Sequence, residues 1–256
     1  MGYAFAAGLL SKGIVTADAL AIIEKNPERR DFLAEKTGAV LFKELDEIRQ
    51  DYTVFLLAIK PQDADTLFST LNQQITKGSL VISIMAGVTL ATMESGLPSA
   101  EIIRAMPNTP AGIREGMSVY FGKDLSPDTT TTVETILGAV GKIVRVTSES
   151  MIDAATAISG SGPAYLFYLA ESMVEGAIGM GFSKTDAELL TLQTLFGASS
   201  LLQQSNTSAA ELRKAVTSPG GTTAAAIGVF DERHIKESLI DAFGAALRRA
   251  KELGES

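Results

Sequence analysis

Residues 52–88, YTVFLLAIKPQDADTLFSTLNQQITKGSLVISIMAGV, decide the fold of this chain because two apolar runs flank one helical stretch. The runs Tyr52–Ile59 and Leu80–Ile84 are almost continuously apolar, which is typical of parallel strands covered on both faces. Between them, Pro61–Thr76 has helical spacing, with Pro at its first position and Gly78 beyond its end. A strand, a crossover helix and a second strand predict a parallel βαβ unit.

Short apolar strands alternate with helical stretches on both sides of this unit. Asn26 and Pro27 predict an N-cap followed by Pro at the first helical position, and Gly38 is placed to end that helix in the left-handed conformation. The alternation predicts an α/β domain over residues 1–148, with a doubly wound parallel sheet and helices on both of its faces. Further elements are predicted as strand Leu20–Ile23, helix Pro27–Thr37, strands Ile102–Met106 and Lys142–Val146, and a helix starting at Ser126.

The composition changes near residue 149, where runs of Val, Ile and Thr give way to Ala, Leu, Met and Glu at helical spacing. Residues 149–256 therefore predict a separate all-helical domain. Its helices are so rich in Ala, Gly and Leu that more than one face of each is apolar, which favours a homo-oligomer. The alternative is tight packing within one chain through small residues. The helices are predicted at Ala164–Met180, Ser183–Leu202, Ala209–Val216 and Glu232–Leu253.

Charge and composition exclude several classes of function. The chain has 30 acidic residues against 22 Lys and Arg, a formal net charge of −8, and no basic cluster for a phosphate backbone or an anionic membrane surface. We therefore expect no nucleic-acid and no membrane partner. The absence of cysteine excludes disulfides and zinc–thiolate sites and fits a cytoplasmic protein. The longest apolar run, Leu80–Val88, is far shorter than the roughly 20 residues that span a bilayer.

Three glycine-containing stretches lie at the ends of predicted elements. Ala86-Gly87 follows a strand, whereas Ser159–Pro163 and Ser218–Thr223 precede helices. Backbone N–H groups exposed at a helix start, together with the helix dipole, suit an anion. The last stretch adds Ser and Thr hydroxyls as further donors. The alternative for each stretch is an ordinary polar turn, because turns use the same residues.

Side chains for acid–base or metal catalysis are sparse. His234 is the single histidine, and its neighbours Arg233 and Lys236 offer no orienting partner, so we interpret it as a surface residue. No spacing of histidines or paired carboxylates predicts a metal site, and no nucleophile elbow is present. An enzyme of this composition would depend on a bound cofactor for its reactive centre, with the protein supplying shape and donors.

Five segments, in the same order over nearly the whole chain, resemble the motifs of pyrroline-5-carboxylate reductases. They are AIKPQ (58–62), ISIMAGV (82–88), IIRAMPNTPAGIREGM (102–117), AISGSGPAY (157–165) and LRKAVTSPGGTT (212–223). The resemblance implies a Rossmann-like N-terminal domain and a helical C-terminal dimerisation domain. It also implies reduction of 1-pyrroline-5-carboxylate to L-proline by NADPH or NADH, in a homodimer or a higher homo-oligomer.

The resemblance further implies which residues form the site. A cyclic imine is basic enough to be protonated without a strong acid from the protein, so hydride transfer needs mainly positioning, which agrees with the scarcity of catalytic side chains. The substrate would be held by Glu149, Ser218, Gly221, Thr222 and Thr223, and Thr223, at the ring nitrogen, is the candidate catalytic residue. The coenzyme would be bound by Gly2, Lys25, Ala58, Ile59, Lys60, Pro61, Ala86, Gly87 and Asn108.

The sequence departs from the family pattern at its start. The resemblance implies a first strand and a glycine loop, of which Gly2 would be the tail, so we expect this chain to bind coenzyme weakly. One alternative is therefore a cofactor-incompetent oligomeric homologue. Another is a β-hydroxyacid dehydrogenase, although the helix after Gly162 has no Lys before Lys184 to act as its base. Glu24 would favour NADH and Lys25 would favour NADPH, which leaves the coenzyme open.

Overall fold

The computed structural model describes residues 1–48 and 52–255. Contacts divide the chain into two compact units. The first, called the sheet unit here, comprises Met1–Ser161 with Ala246–Ser256, and the second, the helical unit, comprises Gly162–Ala245. The predicted boundary between residues 148 and 149 stays a prediction. Ser256, the last residue of the predicted helical domain, lies outside the described residues.

The sheet unit alternates strands and helices in the predicted manner. After helix α6 the chain makes one π-helical turn, Thr156–Gly160. The elements are α1 Gly2–Ser11, β1 Ala21–Ile23, α2 Pro27–Thr37, β2 Val40–Phe42, β3 Val54–Leu57, α3 Ala64–Leu71, β4 Leu80–Ser83, α4 Leu90–Gly96, β5 Glu101–Met106, β6 Gly116–Phe121, α5 Pro127–Gly138, β7 Gly141–Arg145 and α6 Ser150–Ala155.

The strands form two sheets. β1 and β2 pair in parallel as a two-stranded sheet, and β3 to β7 form a five-stranded sheet in sequence order. Within it, β3 and β4 are parallel neighbours, as the stretch 52–88 predicts. Strand β5 is parallel to β4, and β6 and β7 are parallel as well. Each parallel step crosses through a helix, which is the connection that parallel pairing requires.

The expectation of a purely parallel sheet is wrong at β6, which pairs antiparallel with β5. The physical reason is the connection between them. Only the short 3-10 helix Thr109–Ile113 separates β5 from β6, and this segment is too short for a crossover, so the chain turns back along its neighbour. The sequence pattern had not indicated Gly116–Phe121 as a strand.

Two apolar cores cover the two faces of the five-stranded sheet. Alternate residues of β4 point to opposite sides, as a pleated strand requires. Val81 belongs to the core that contains Phe68 of α3 and Met93 of α4, whereas Ile82 belongs to the core that contains Phe5 of α1. The doubly wound arrangement is thus confirmed, because helices pack on both faces.

Local signals fix several helix ends. Helix α2 has the predicted bounds, since the Asn26 side chain accepts from the Arg29 backbone N–H at 2.9 Å and Gly38 has a φ of 62°. The helix predicted to reach Thr76 ends earlier. Beyond Leu71 the N–H groups of Gln73 and Gln74 bond to carbonyls three residues earlier, which interrupts the α-helical pattern, so α3 stops at Leu71.

The helical unit consists of helices with few buried side chains between them. Helix α7 has no buried residue, and α8 buries only Ala187 and Thr191. Ser183 caps α8 by accepting from the Asp186 backbone N–H at 3.1 Å. Among the described residues no helix is both long and apolar enough to cross a membrane. The elements are α7 Gly162–Gly179, α8 Lys184–Gln204, α9 Ala209–Ala215, α10 Thr222–Glu232 and α11 Ile235–Glu255, the last of which extends into the sheet unit.

Candidate active site

Three groups of predicted coenzyme residues lie at one edge of the five-stranded sheet. β3, β4 and β5 are parallel, so their carboxyl ends share that edge. Residues Ala58–Pro61 follow β3, Ala86-Gly87 follows β4, and Asn108 follows β5. Ligands of open α/β sheets bind outside the carboxyl ends of the strands. The topology therefore gathers residues that are up to 50 positions apart in the sequence.

The backbone at this edge is accessible. Ala58–Pro61 and Ala86 are exposed, and a Cβ built on Gly2 would lie 3.2 Å from the Ala58 Cβ, so Gly2 is next to the same segment. Lys25, immediately after β1, forms a 3.6 Å ion pair with Glu44 while its side chain stays 73% exposed. Such a pair is weak in water and leaves the ammonium free to bind an anionic group. These groups fit a phosphate-bearing dinucleotide.

Gly87 meets two requirements that only glycine satisfies. Its φ of 75° lies in the left-handed region, and a Cβ there would come within 2.7 Å of the carbonyl oxygen of Leu253 near the end of α11. A side chain would therefore be strained and would collide with backbone. The turn after β4 therefore packs closely against the last turn of α11.

Asn108 connects two segments with its side-chain amide. Its Nδ2 donates to the carbonyl of Ser159 at 3.0 Å, and its Oδ1 accepts from the backbone N–H of Met117 at 2.8 Å. Ser159 lies in the π-helical turn, a feature that occurs frequently at functional sites. Asn108 thus holds that turn next to β6, and its role as a coenzyme contact stays a prediction.

Glu149 belongs to a buried network of charges. The Arg104 side chain in β5 is 3% exposed, and its Nη1 donates to Glu149 Oε1 at 3.0 Å while its Nη2 donates to Asp153 Oδ1 at 2.8 Å. The same Glu149 oxygen accepts from the Leu90 backbone N–H at 2.7 Å. The role of Glu149 at the substrate stays a prediction, whereas its contacts here are with protein groups.

The candidate substrate residues share one turn in the helical unit. Gly220 has a φ of 70°, Gly221 caps the start of α10, and a Cβ on Gly221 would lie 2.6 Å from the Ser218 Oγ. Thr222 and Thr223 are the first two residues of α10, so backbone N–H groups without helical partners lie beside their hydroxyls. Within the described residues the hydroxyls of Ser218, Thr222 and Thr223 make no hydrogen bond. This turn offers donors to a small anion.

Family models and known proteins that are similar to this chain point to the same family. A family model described as pyrroline-5-carboxylate reductase dimerisation matches residues 149–253, and a model described as NADP oxidoreductase coenzyme F420-dependent matches residues 1–87. The pyrroline-5-carboxylate reductase of Synechocystis sp. is 36% identical over 256 residues, covering 100% of this chain and 95% of that protein. The chain belongs to the pyrroline-5-carboxylate reductase family. The Rossmann-like interpretation of the sheet unit and the family resemblance of the five motifs are thereby confirmed.

Solved structures of the family agree in fold over the whole chain. A pyrroline-5-carboxylate reductase from Coxiella burnetii superposes with a TM-score of 0.92 at 35% identity, covering 100% of this chain and 95% of that one. The Plasmodium falciparum pyrroline carboxylate reductase, a structure with NADP bound, gives a TM-score of 0.88 at 26% identity, covering 99% of this chain and 94% of that one.

Sequence reasoning missed Arg104 and Asp153. A signal for Arg104 was present, because it is the one charged residue inside the apolar strand segment Ile102–Met106. A charge at such a position is buried and needs a partner. Asp153 carried no comparable signal, since its helix, α6, had not been predicted. Within the described residues no cluster of acidic or histidine side chains could hold a metal ion.

Proposed function

We propose that this chain reduces 1-pyrroline-5-carboxylate to L-proline with a hydride from NADPH or NADH. The observation that carries the proposal is the whole-length similarity to pyrroline-5-carboxylate reductases, in sequence and in fold alike. The described residues also supply what this reaction needs, which is an accessible sheet edge for a dinucleotide and a separate turn rich in donors for a small carboxylate.

The sheet unit would bind the coenzyme. When bound, the reduced nicotinamide supplies the hydride. The exposed segment Ala58–Pro61, with Gly2 beside it, would contact the dinucleotide, and Ala86-Gly87 would support its nicotinamide end. Lys25 would attract a ribose phosphate, which would favour NADPH, while the neighbouring Glu24 carboxylate accepts from the Asn26 N–H at 2.9 Å and is turned towards its own loop.

The helical unit would bind the substrate. Ser218, Thr222 and the N–H groups near Gly221 would hold the carboxylate of the imine, since several neutral donors at a helix start stabilise one anion. The Thr223 hydroxyl would contact the ring nitrogen and so orient the iminium carbon towards the hydride donor. Catalysis would then rest on positioning, which brings large rate gains without a strongly acidic or basic side chain.

The working form would be a homodimer or a higher homo-oligomer, assembled through the helical unit, and the absence of cysteine fits the cytoplasm. Several large apolar side chains support this assembly because they are mostly exposed in the single chain. They include Phe167, Tyr168, Met180 and Phe196, with 59%, 72%, 82% and 69% exposure.

The proposal is tested by assaying purified protein with pyrroline-5-carboxylate and either NADPH or NADH. Loss of the reduced coenzyme should depend on the imine, and proline should form in equal amount. A 3-hydroxyacid with the oxidised coenzyme is the control, and its oxidation at a comparable rate would favour a β-hydroxyacid dehydrogenase. Calorimetry without detectable coenzyme binding would favour the cofactor-incompetent homologue.

A further inference from the structure

The Arg104 network joins three segments of the sheet unit that are far apart in the sequence. Arg104 lies in β5, Glu149 directly precedes α6, and Asp153 lies within α6. The two acidic side chains are 27% and 15% exposed, and the guanidinium between them is almost fully buried. A charge so buried is tolerated when it is paired, and the planar guanidinium can reach two carboxylates at once.

Glu149 connects the third segment, the start of helix α4, to Arg104. Its Oε1, which accepts from Arg104, also accepts from the backbone N–H of Leu90 at 2.7 Å. Leu90 is the first residue of α4 and lies three positions after Gly87, so this bond holds the end of the turn 86–89. Thr89 makes its own cap contact with the Thr92 N–H, so the Leu90 N–H depends on Glu149 for its partner.

Each joined segment leads into a predicted part of the site. The turn 86–89 belongs to the coenzyme edge, β5 leads into Asn108, and α6 leads into the π-helical turn that Asn108 holds. We propose that Arg104, Glu149 and Asp153 form a positioning network that fixes the coenzyme turn relative to β5 and α6. In this role Glu149 acts through Leu90 and Arg104 and makes no essential contact with the substrate. The inference rests on the proposed function for its kinetic consequences.

Glu149→Ala tests the network because it removes both the Arg104 and the Leu90 contact, while Arg104 keeps Asp153. Hydrogen exchange of the coenzyme-free protein should accelerate in a peptide covering residues 85–92. Calorimetry should show NADPH binding weakened on the order of tenfold, since the coenzyme turn loses one hydrogen bond that holds it in place and such a bond is worth about a factor of ten. The KM for pyrroline-5-carboxylate should stay within about twofold, as expected for a residue without substrate contact.

Two further variants make the test specific. Glu149→Gln keeps an oxygen that can accept from Leu90, so exchange and NADPH affinity should recover part of the way to wild type. It also replaces Glu149→Ala if that variant does not fold. Glu94→Ala is the matched control, because it removes an exposed 2.7 Å ion pair with Lys123 from the same helix α4. It should change neither exchange in residues 85–92 nor NADPH affinity.

Unchanged exchange in both Glu149 variants would overturn the proposal. So would a raised KM for pyrroline-5-carboxylate with unchanged NADPH affinity, because that result would make Glu149 a substrate contact. Exchange and calorimetry do not require turnover of the imine. If the wild-type protein fails to reduce pyrroline-5-carboxylate, the proposed function fails, while these two measurements still decide the role of the network.

Discussion

Thr223 is the predicted catalytic residue, and its surroundings in the structure allow a direct test of that role. It is the second residue of α10, its hydroxyl is unbonded within the described part of the chain, and it follows the exposed turn at Gly220-Gly221. Its neighbours leave helical N–H donors without partners. A hydroxyl beside such donors suits a small polar substrate, and in the proposed function Thr223 is the residue that would orient it.

We expect Thr223→Ala to lower kcat/KM for pyrroline-5-carboxylate about ten- to a hundredfold, since a lost positioning hydrogen bond is worth about 1–3 kcal/mol. Coenzyme affinity should be nearly unchanged, because the coenzyme residues lie in the sheet unit. Melting temperature should change little, since Ala is a good helix former. Thr223→Ser is the control and should retain most activity. Wild-type turnover with a lowered melting temperature would make Thr223 a helix cap only.

At the scale of residues, the sequence predicted candidate site residues but not the hydrogen bonds and ion pairs between them. The turns at Ala86-Gly87 and Ser218–Thr223 were recognisable because glycine and hydroxyl residues at helix or strand ends have local causes. The pairing of Asn108 with Ser159 could not be predicted in the same way, because the two residues lie 51 positions apart and meet only through packing.

At the scale of elements, a partly buried hydrogen bond connects strand β6 to helix α5. Tyr120 has no exposed surface, and its hydroxyl donates to Glu134 Oε1 at 2.7 Å. The pKa of Tyr120 is raised to about 12, mainly because burial disfavours the phenolate, and the hydrogen bond to the Glu134 carboxylate and the charge of that group contribute in the same direction. β6 is the strand that departs from the expected parallel order, so this contact helps to hold an element that sequence periodicity did not predict.

The raised pKa of Tyr120 predicts a loss of stability at high pH. The folded pKa lies above the unfolded value of about 10, so this stabilisation is complete below pH 10 and is lost as pH rises through 12. From pH 8 to pH 11 the wild-type protein should lose about 1 kcal/mol of unfolding free energy that Tyr120→Phe does not lose. Urea denaturation at both pH values measures this difference. Tyr168→Phe, at a 72% exposed tyrosine, is the control and should follow wild type.

Most elements were predictable because their causes are local. Helix α2 has both predicted ends, since a side-chain cap and a left-handed glycine act within four residues of each end. Strands β2 and β6 and helices α1, α4 and α6 were missed. Their sequences lack a clear period or end signal, and their conformation depends on neighbours that pack against them. The antiparallel direction of β6 follows from the short connection between β5 and β6, which is too short for a crossover whatever its residues are.

At the scale of the whole molecule, the helical unit exposes an apolar stripe. Leu189, Leu192 and Phe196 of α8 are 65%, 63% and 69% exposed and lie at i, i+3 and i+7, so they share one face of the helix. Contiguous exposed apolar surface of this kind marks an interaction site. The family model that matches this region is described as a dimerisation model, and a second copy of the chain would cover the stripe.

Wild-type protein should therefore be a dimer or larger by light scattering, and Leu189→Glu with Phe196→Glu should shift it towards a smaller species, because acidic residues are excluded from apolar interface centres. Ile113→Glu is the control, since Ile113 is 74% exposed but lies in the sheet unit. It should keep the wild-type mass. A wild-type monomer at assay concentration would contradict the proposed assembly.

The sequence by itself determined most of the strands and helices, the change from an α/β to a helical region, several helix caps, and the family to which the chain belongs. These properties follow from hydrophobic periodicity, helix-end signals and short motifs, all of which involve residues close together in the chain. Tertiary structure alone decided the antiparallel direction of β6 and the ion pairs of Arg104 with Glu149 and Asp153. It also decided the two hydrogen bonds of the Asn108 side-chain amide. These depend on contacts between distant residues, whose geometry is set when the sheet and helices pack and buried polar groups must find partners.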